Sequence, residues 1–479
     1  MFMKQHFKYL SFLLLFALSG VMNVSCGDDD DEPVDVNNPS GNQSGSETNT
    51  GTDSGANNSS NNETGKEPAK EQEPVFYVDV DTVVVEPHLS KVVGELHVDG
   101  RYLKDEAGNI VNLHGMAQTY SPWFNSQSGK NFQWGDYDVS GCLRVNQGRL
   151  KKIIDNGWSM DFVRLHMDPH WTVTNKNDDQ GEKSAHLYYD EEKFKKYLDE
   201  VFVPMAEYIQ SLGMRVLMRP PGVCPERISY GDAYYKYMLD VWTIVANHPK
   251  LQNNPLVMFE LANEPVYFVA SDGSDSQRNF NDIVAKEYSQ FFQDIVDKMR
   301  GEGCNNILWV PGLAWQQDYR AFQKYPIEGD NIGYAVHCYP GWYGSDCYQQ
   351  TGEIAPDMWR GSAGGYKGFK KDWDNSITNV VGQTNPIIVT EMDWCSKKFK
   401  GRTWGSSVTG TAGGKGFGAN FRKIMDETGN VSWLTFVWDY DLAAFNPKHK
   451  VDSNNFLYDP DSGVLPVYWW FKEYWDAEN

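Results

Sequence analysis

Eight short apolar runs, each followed by polar loop residues and then by helical periodicity, predict a (β/α)8 TIM barrel for most of this 479-residue chain. Three observations carry the prediction. The runs start at intervals averaging about 46 residues between positions 110 and 431. They are continuously apolar, as strands covered on both faces must be. Chemistry-bearing residues close many of them, whereas an open doubly wound sheet would gather such residues at one crossover and follow an early strand with GxGxxG or GxxxxGK, which is not seen here.

The elements follow in order. Residues 1–26, MFMKQHFKYLSFLLLFALSGVMNVSC, set Lys4 and Lys8 before an apolar run from Leu10 to Val21, the layout of an export signal. A run of about 12 apolar residues is short of the ~20 needed to cross a bilayer core. Its end resembles a bacterial lipoprotein signal, in which cleavage leaves an acylated cysteine, here Cys26, although Asn23 stands where an aliphatic residue is usual. The alternative is ordinary secretion with Cys26 lost. GDDDDE at 27–32 resembles the acidic stretch that sends some lipoproteins of the Bacteroides group to the outer face of the outer membrane. The resemblance implies a lipid anchor in that membrane, with the folded body facing the cell exterior. Residues 27–74 carry -10 of the net charge of -22 and almost no aliphatic side chain, which predicts a disordered acidic and polar tether. Residues 75–93 read as a short β extension, well below the ~100 residues of a carbohydrate-binding sandwich.

The predicted barrel domain spans residues 94–479. It opens with GELHVDGRYLKDEAGNIVNLHG, two strands around the turn Ala107-Gly108-Asn109. The barrel strands are IVNLHG at 110–115, DFVRLH at 161–166, RVLMRP at 215–220, LVMFELANEP at 256–265, ILWVPG at 307–312, IGYAVHCY at 332–339, PIIVTEMDW at 386–394 and VSWLTFVWDY at 431–440. Apolar residues at three-to-four spacing predict helices over 192–212, closed by Gly213, and over 280–299.

With 43 basic against 65 acidic side chains and no arginine-rich stripe, the chain lacks the basic face that nonspecific nucleic-acid binding requires, and a monomer is expected. Its 17 Trp and 26 Tyr point to stacking surfaces. The cysteines form no CxxC pair; Cys338 and Cys347 are close enough for a loop disulfide, and their pairing stays open.

In a parallel barrel the loops at the carboxyl ends of the strands form the pocket. The residues there are His114, Arg164 with His166, Arg219, Asn263 with Glu264, His337 with Tyr339, Glu391, and Trp438 with Asp439. Glutamates thus close strands four and seven. Two carboxyl groups flanking a glycosidic bond are what acetal hydrolysis needs: one protonates the leaving oxygen and the other attacks or activates water. Glu391 must then stay ionised, which Arg164 favours, while Glu264 must hold its proton before attack, which an apolar setting favours. The bland alternative is that each glutamate pairs with a loop lysine.

LANEP at 261–265, VTEMDW at 389–394, FVRLH at 162–166, VHCY at 336–339 and FVWDY at 436–440 together resemble glycoside hydrolase family 5, over the stretch from about Gly94 to Asn479. The resemblance implies a retaining mechanism on an eightfold barrel, with Glu264 as acid/base, Glu391 as nucleophile and Asn263 on the sugar 2-hydroxyl. It further implies that Arg164, His337 and Tyr339 surround the nucleophile and that Trp438 is a sugar platform. A β-1,4-glucan is the implied substrate, with mannan and xylan as alternatives and a non-catalytic surface glycan-binding protein as the reading from another class. The pattern departs from the family at strand three, where a histidine is common and this chain reads VLMRPPGVCP. Either Arg219 pairs with a barrel acid there, or His166 or His170 fills the space.

Aromatic and histidine residues of the loops are further substrate-binding candidates: His114, Trp123, His166, His170, Trp171, Trp342 and Trp394. Each could equally anchor its loop. His166 and His170 are four residues apart but bracket Pro169 instead of forming HExxH on a helix, so no metal is expected. No nucleophilic serine elbow or phosphate-binding loop is visible, and no cofactor is expected.

Overall fold

The computed structural model describes residues 94–118, 138–174, 181–346, 364–392, 412–414, 416–437, 439–452, 455–458 and 464–477. The predicted signal, tether and β extension lie outside them. Among the described residues there are twelve strands: β1 (His97–Asp99), β2 (Tyr102–Lys104), β3 (His114–Ala117), β4 (Phe162–His166), β5 (Arg215–Arg219), β6 (Arg227–Ile228), β7 (Val257–Glu260), β8 (Tyr267–Phe268), β9 (Leu308–Pro311), β10 (Ile332–His337), β11 (Ile387–Glu391) and β12 (Val431–Thr435). Eight of them close a parallel barrel in the order β3-β4-β5-β7-β9-β10-β11-β12. The predicted fold class is therefore the one observed.

Among the described residues the helices packed around it include α1 (Val139–Asp155), α2 (residues 191–211, with a wider turn at Leu198–Phe202), α3 (Ala233–Ala246), α4 (Asp282–Gly301), α5 (Gly365–Trp373), α6 (Gly418–Thr428) and α7 (Val464–Ala477). Side chains of Asp138, Asp190, Asp232 and Asn281 accept backbone N–H groups in the first turns of α1 to α4, which marks where those helices begin. On α4 the buried face of Val284, Tyr288, Phe291, Ile295 and Met299 follows the predicted three-to-four spacing.

Residues alternate along each barrel strand, and the inward set includes Phe162, Leu217, Met258, Trp309, Ala335, Ile388 and Leu434. Room for the Trp309 indole comes from Gly333 on the next strand, where a Cβ would lie 2.3 Å from the ring. Leu96, Leu103, Val111 and Leu113 join the same cluster and close the barrel at the amino-terminal ends of its strands.

Strand one differs from the prediction. β1 and β2 form an antiparallel hairpin turning at Gly100-Arg101, with Asp99 opposite Tyr102. The expected turn at 107–109 forms too, with Asp105 Oδ1 accepting the Asn109 N–H at 2.8 Å, but its far arm only bridges Lys104 at Ile110. Residues 110–113 are thereby used in closing the floor, so His114 begins β3 where it was expected near its end. Its ring stacks on Tyr474 of α7 at 3.8 Å between centroids and lies edge-on to Trp433. His114 is therefore a packing residue between barrel and helix layer, not a residue of the mouth.

Candidate active site

A polar layer lies above the apolar barrel core. Arg164, at the third position of β4, is fully buried and uses its planar fork on three partners. Nε and Nη2 donate to Glu260 at 2.6 and 3.1 Å, Nη1 donates to Glu391 at 2.9 Å, and Nη2 also donates to Asn263 Oδ1 at 2.6 Å. Burial opposes the guanidinium charge, but Glu260 and Glu391 outweigh it and raise Arg164 above its ordinary value. Glu260 in turn accepts from Thr390 Oγ1 at 2.7 Å and Gln316 Nε2 at 3.2 Å. Because Asn263 gives its oxygen to Arg164, its amide nitrogen is the group turned away from the guanidinium.

Glu264 and Glu391 meet above this layer. A register shift at Val336/His337 sets His337 opposite Glu391. His337 Nδ1 lies 3.1 Å from Glu264 Oε1 and 3.4 Å from Glu391 Oε2, and one ligand atom from each of the three residues lies within 4.8 Å of the others. Such a set could hold a divalent ion; His337 Nδ1 is hydrogen-bonded with Glu264 Oε1 and lies at ion-pair distance from Glu391 Oε2. The Tyr339 hydroxyl donates to Glu391 Oε2. Burial opposes ionisation of Glu391, but the charges of His337 and Arg164 and the bonds from Tyr339 and Arg164 prevail and hold its carboxyl below the usual range. That is the electrostatic state a nucleophilic carboxylate requires.

The backbone under Glu264 is unusual. Glu264 has φ 55°, and after β9 three consecutive non-glycine residues, Ala314, Trp315 and Gln316, have φ of 52°, 60° and 61°. Each left-handed non-glycine residue costs roughly 1–2 kcal/mol. The turn lies against the Glu264 loop: Trp315 N–H donates to Pro265 O at 3.0 Å, and Glu264 N–H donates to Gln316 Oε1 at 2.9 Å.

Thus Arg164, Asn263, Glu264, His337, Tyr339 and Glu391 are brought together. His166 ends β4 beside Arg219, whose Nη2 approaches His166 Nδ1 at 3.1 Å. An arginine can only donate, so Nδ1 accepts and the ring proton sits on Nε2. Burial first, then the charges of Arg219, Arg164 and His337, push His166 far below its ordinary value and keep it neutral. Arg219 Nη1 donates to Gly222 O at 2.7 Å.

Two aromatic candidates are corrected. Trp171 is 0% exposed and packs edge-on against Tyr197, while Trp342 is 3% exposed and packs edge-on against Tyr339. Their turns fold back onto the helix layer, and a ring without an open face cannot stack on a sugar. Trp123, Trp394 and Trp438 lie outside the described residues, as does the side chain of His170.

Three members of the site were missed from sequence: Glu260, Thr390 and Gln316. Glu260 carried a signal, since an acid inside the apolar run LVMFEL of a doubly covered strand must be paired. Gln316 carried none, because its place depends on the left-handed turn.

A family model described as cellulase (glycosyl hydrolase family 5) matches residues 110–441. No curated protein matches the chain. Among solved structures, a beta-glucanase from Saccharophagus degradans is 19% identical, covers 84% of this chain and 100% of its own, and gives a TM-score of 0.48. The same beta-glucanase in complex with cellotetraose is 20% identical over 81% of this chain and 98% of its own, also at 0.48. The catalytic domain of a Thermobifida fusca endoglucanase is 15% identical over 79% of this chain and 97% of its own, at 0.43.

Proposed function

Because the chain belongs to the cellulase family, glycosyl hydrolase family 5, we propose that it is a retaining, endo-acting hydrolase of β-1,4-glucan, with Glu391 as nucleophile and Glu264 as acid/base. The observation that carries this reading is the meeting of the two carboxyl groups, with oxygens within 4.8 Å of each other. Retaining pairs lie about 5–5.5 Å apart, whereas inverting pairs leave room for a water at about 6.5–9.5 Å.

In the first step Glu391 attacks the anomeric carbon while the proton of Glu264 passes to the glycosidic oxygen, and the leaving sugar departs as an alcohol. A covalent glycosyl-enzyme remains. In the second step Glu264, now ionised, takes a proton from water as that water attacks the same carbon and frees Glu391. Arg164 and Tyr339 hold the nucleophile charged and aimed. The amide nitrogen of Asn263 donates to the sugar 2-hydroxyl, and Trp438 supplies a stacking face.

Reducing-end release from a panel of soluble β-glucan, glucomannan and xylan tests the reading, and the product ladder separates glucan from mannan or xylan preference. Glu264→Ala and Glu391→Ala should each lower turnover by about 10²–10⁴-fold with folding preserved. Proton NMR of the first product should show the β anomer. Absence of turnover on every glycan, with binding retained, would favour a surface glycan-binding protein instead.

For the amino-terminal segment the proposal is a lipoprotein acylated on Cys26 and displayed on the outer face of the outer membrane as a monomer. The lysines before the apolar run, Cys26 and the acidic stretch after it support this. Among the described residues no helix is long and apolar enough to cross a membrane. Cys26→Ser should move the protein out of the membrane fraction, and protease treatment of intact cells should remove the wild-type enzyme from the surface.

A further inference from the structure

Gln316 is fully buried in the loop after β9, yet both ends of its amide are committed to the site. Its Oε1 accepts the backbone N–H of Glu264 at 2.9 Å, and its Nε2 donates to Glu260 Oε1 and to Ala335 O, each at 3.2 Å. The amide cannot be flipped: a backbone N–H only donates, and a carboxylate or carbonyl only accepts. One side chain therefore links the backbone of Glu264 to the anion that holds Arg164, and Arg164 holds Glu391.

The turn that delivers Gln316 is built at a conformational cost. Three successive left-handed residues without a glycine persist only where their surroundings over-determine them, and such outliers cluster at functional sites. Here the surroundings are visible. Ala314 N–H donates to Val266 O at 3.3 Å and Trp315 N–H to Pro265 O at 3.0 Å. At Gly312 a Cβ would come within 2.7–2.8 Å of the Tyr319 ring and Asp318 O, so only glycine lets the loop close on itself. The Tyr319 hydroxyl donates to Ala335 O and reaches Gln316 O. The residue on the other side of the contact, Glu264, is also left-handed, with φ 55°.

We propose that Gln316 is a positioning residue for the acid/base: it fixes the backbone of Glu264 so that the carboxyl proton faces the glycosidic oxygen, and it ties that aim to the Glu260–Arg164 pair. The proposal rests on Glu264 being the acid. Its consequence is selective. Proton donation matters when the leaving group is a sugar alkoxide and little when it is a dinitrophenolate, which departs without a proton. Losing the Gln316 link should therefore impair natural glucan oligosaccharides far more than activated aryl glycosides.

The test compares kcat and KM on a β-1,4-gluco-oligosaccharide, and kcat/KM on aryl β-cellobiosides of graded leaving-group acidity, for wild type, Gln316→Met, Gln316→Glu and Glu264→Ala. Gln316→Met keeps the length and removes both polar ends. It should lower kcat on the oligosaccharide by about tenfold or more with KM within about twofold, and steepen the leaving-group dependence, while the dinitrophenyl glycoside changes by less than about threefold. Gln316→Glu keeps the acceptor for Glu264 N–H and can donate to Glu260 only when protonated, so its kcat relative to wild type should recover as pH falls. This variant also carries the test if Gln316→Met does not fold. Equal losses for every leaving group, or no loss, would overturn the positioning role while Glu264→Ala still discriminates. If Glu264→Ala itself shows no discrimination, the acid assignment fails and the role of Gln316 falls with it.

Discussion

Arg164 is the residue on which the site's electrostatics turn, because one buried guanidinium serves both Glu260 and Glu391. The nucleophile must be ionised, and its pKa is held below the ordinary 4.5. The acid limb of activity should thus lie below that pH, with turnover lost as pH falls through the depressed value. Arg164→Lys removes the Nη1 donor geometry and Tyr339→Phe removes a hydrogen bond to the ionised form. Each should move the acid limb of kcat/KM to higher pH, and pH profiles between 3 and 8 would show it; unmoved limbs would reject this account of Glu391. Glu260 makes a different prediction. Glu260→Leu leaves a buried charge with half its compensation, so urea unfolding should show a loss of about 3–5 kcal/mol. Sequence placed Glu264, Glu391, Arg164, Asn263, His337 and Tyr339 because strand ends in a barrel converge on one mouth. It could not place Gln316, whose position depends on a backbone conformation that no local pattern encodes.

Among the elements, β3 is where the sequence reading went astray, and the cause is competition for the same apolar run. Ile110 to Leu113 read as strand but are drawn beneath the barrel by the β1–β2 hairpin, which shifts His114 from near the end of the strand to its first position. There burial, with a smaller effect from the Arg422 charge, pushes the imidazole down to about 3. The neutral ring is the folded form. Between about pH 6.5 and 3 the unfolded chain binds a proton at this position that the folded chain does not, so stability rises with pH across that window, by about 1.4 kcal/mol per pH unit. His114→Phe, which keeps the stack on Tyr474, should flatten the fall in stability over that range by up to one proton's worth in denaturant titrations. An unchanged slope would mean that His114 is protonated in the fold.

For the molecule as a whole, the alternation of eight apolar runs with helical segments was enough to read the architecture, since each strand is covered on both faces. The aromatic lining was less legible: composition shows a surplus of Trp and Tyr but not which rings keep an open face, and Trp171 and Trp342 are consumed by packing. Cysteines give a test at this scale. Cys142, Cys224, Cys304 and Cys338 are buried free thiols, and burial raises each above its ordinary value. A thiol-reactive dye should leave these four unmodified in the native protein and label them on unfolding; rapid native labelling would mean that the barrel opens far more readily than its packing implies.

Besides the contacts His337 makes with both, two longer paths join Glu264 and Glu391. Along the rim one runs from β7 through β9 and β10 to β11. Through the interior the other runs from Glu264 by way of Gln316, Glu260 and Arg164 to Glu391, as a chord of hydrogen bonds across the ring. An arc lengthens when a ring becomes oval, whereas a stiff chord keeps its ends apart by a fixed span. The reactive spacing is therefore shielded from distortions of the rim, and the gap in which a sugar bond is broken is set by a crossbar and not by the hoop.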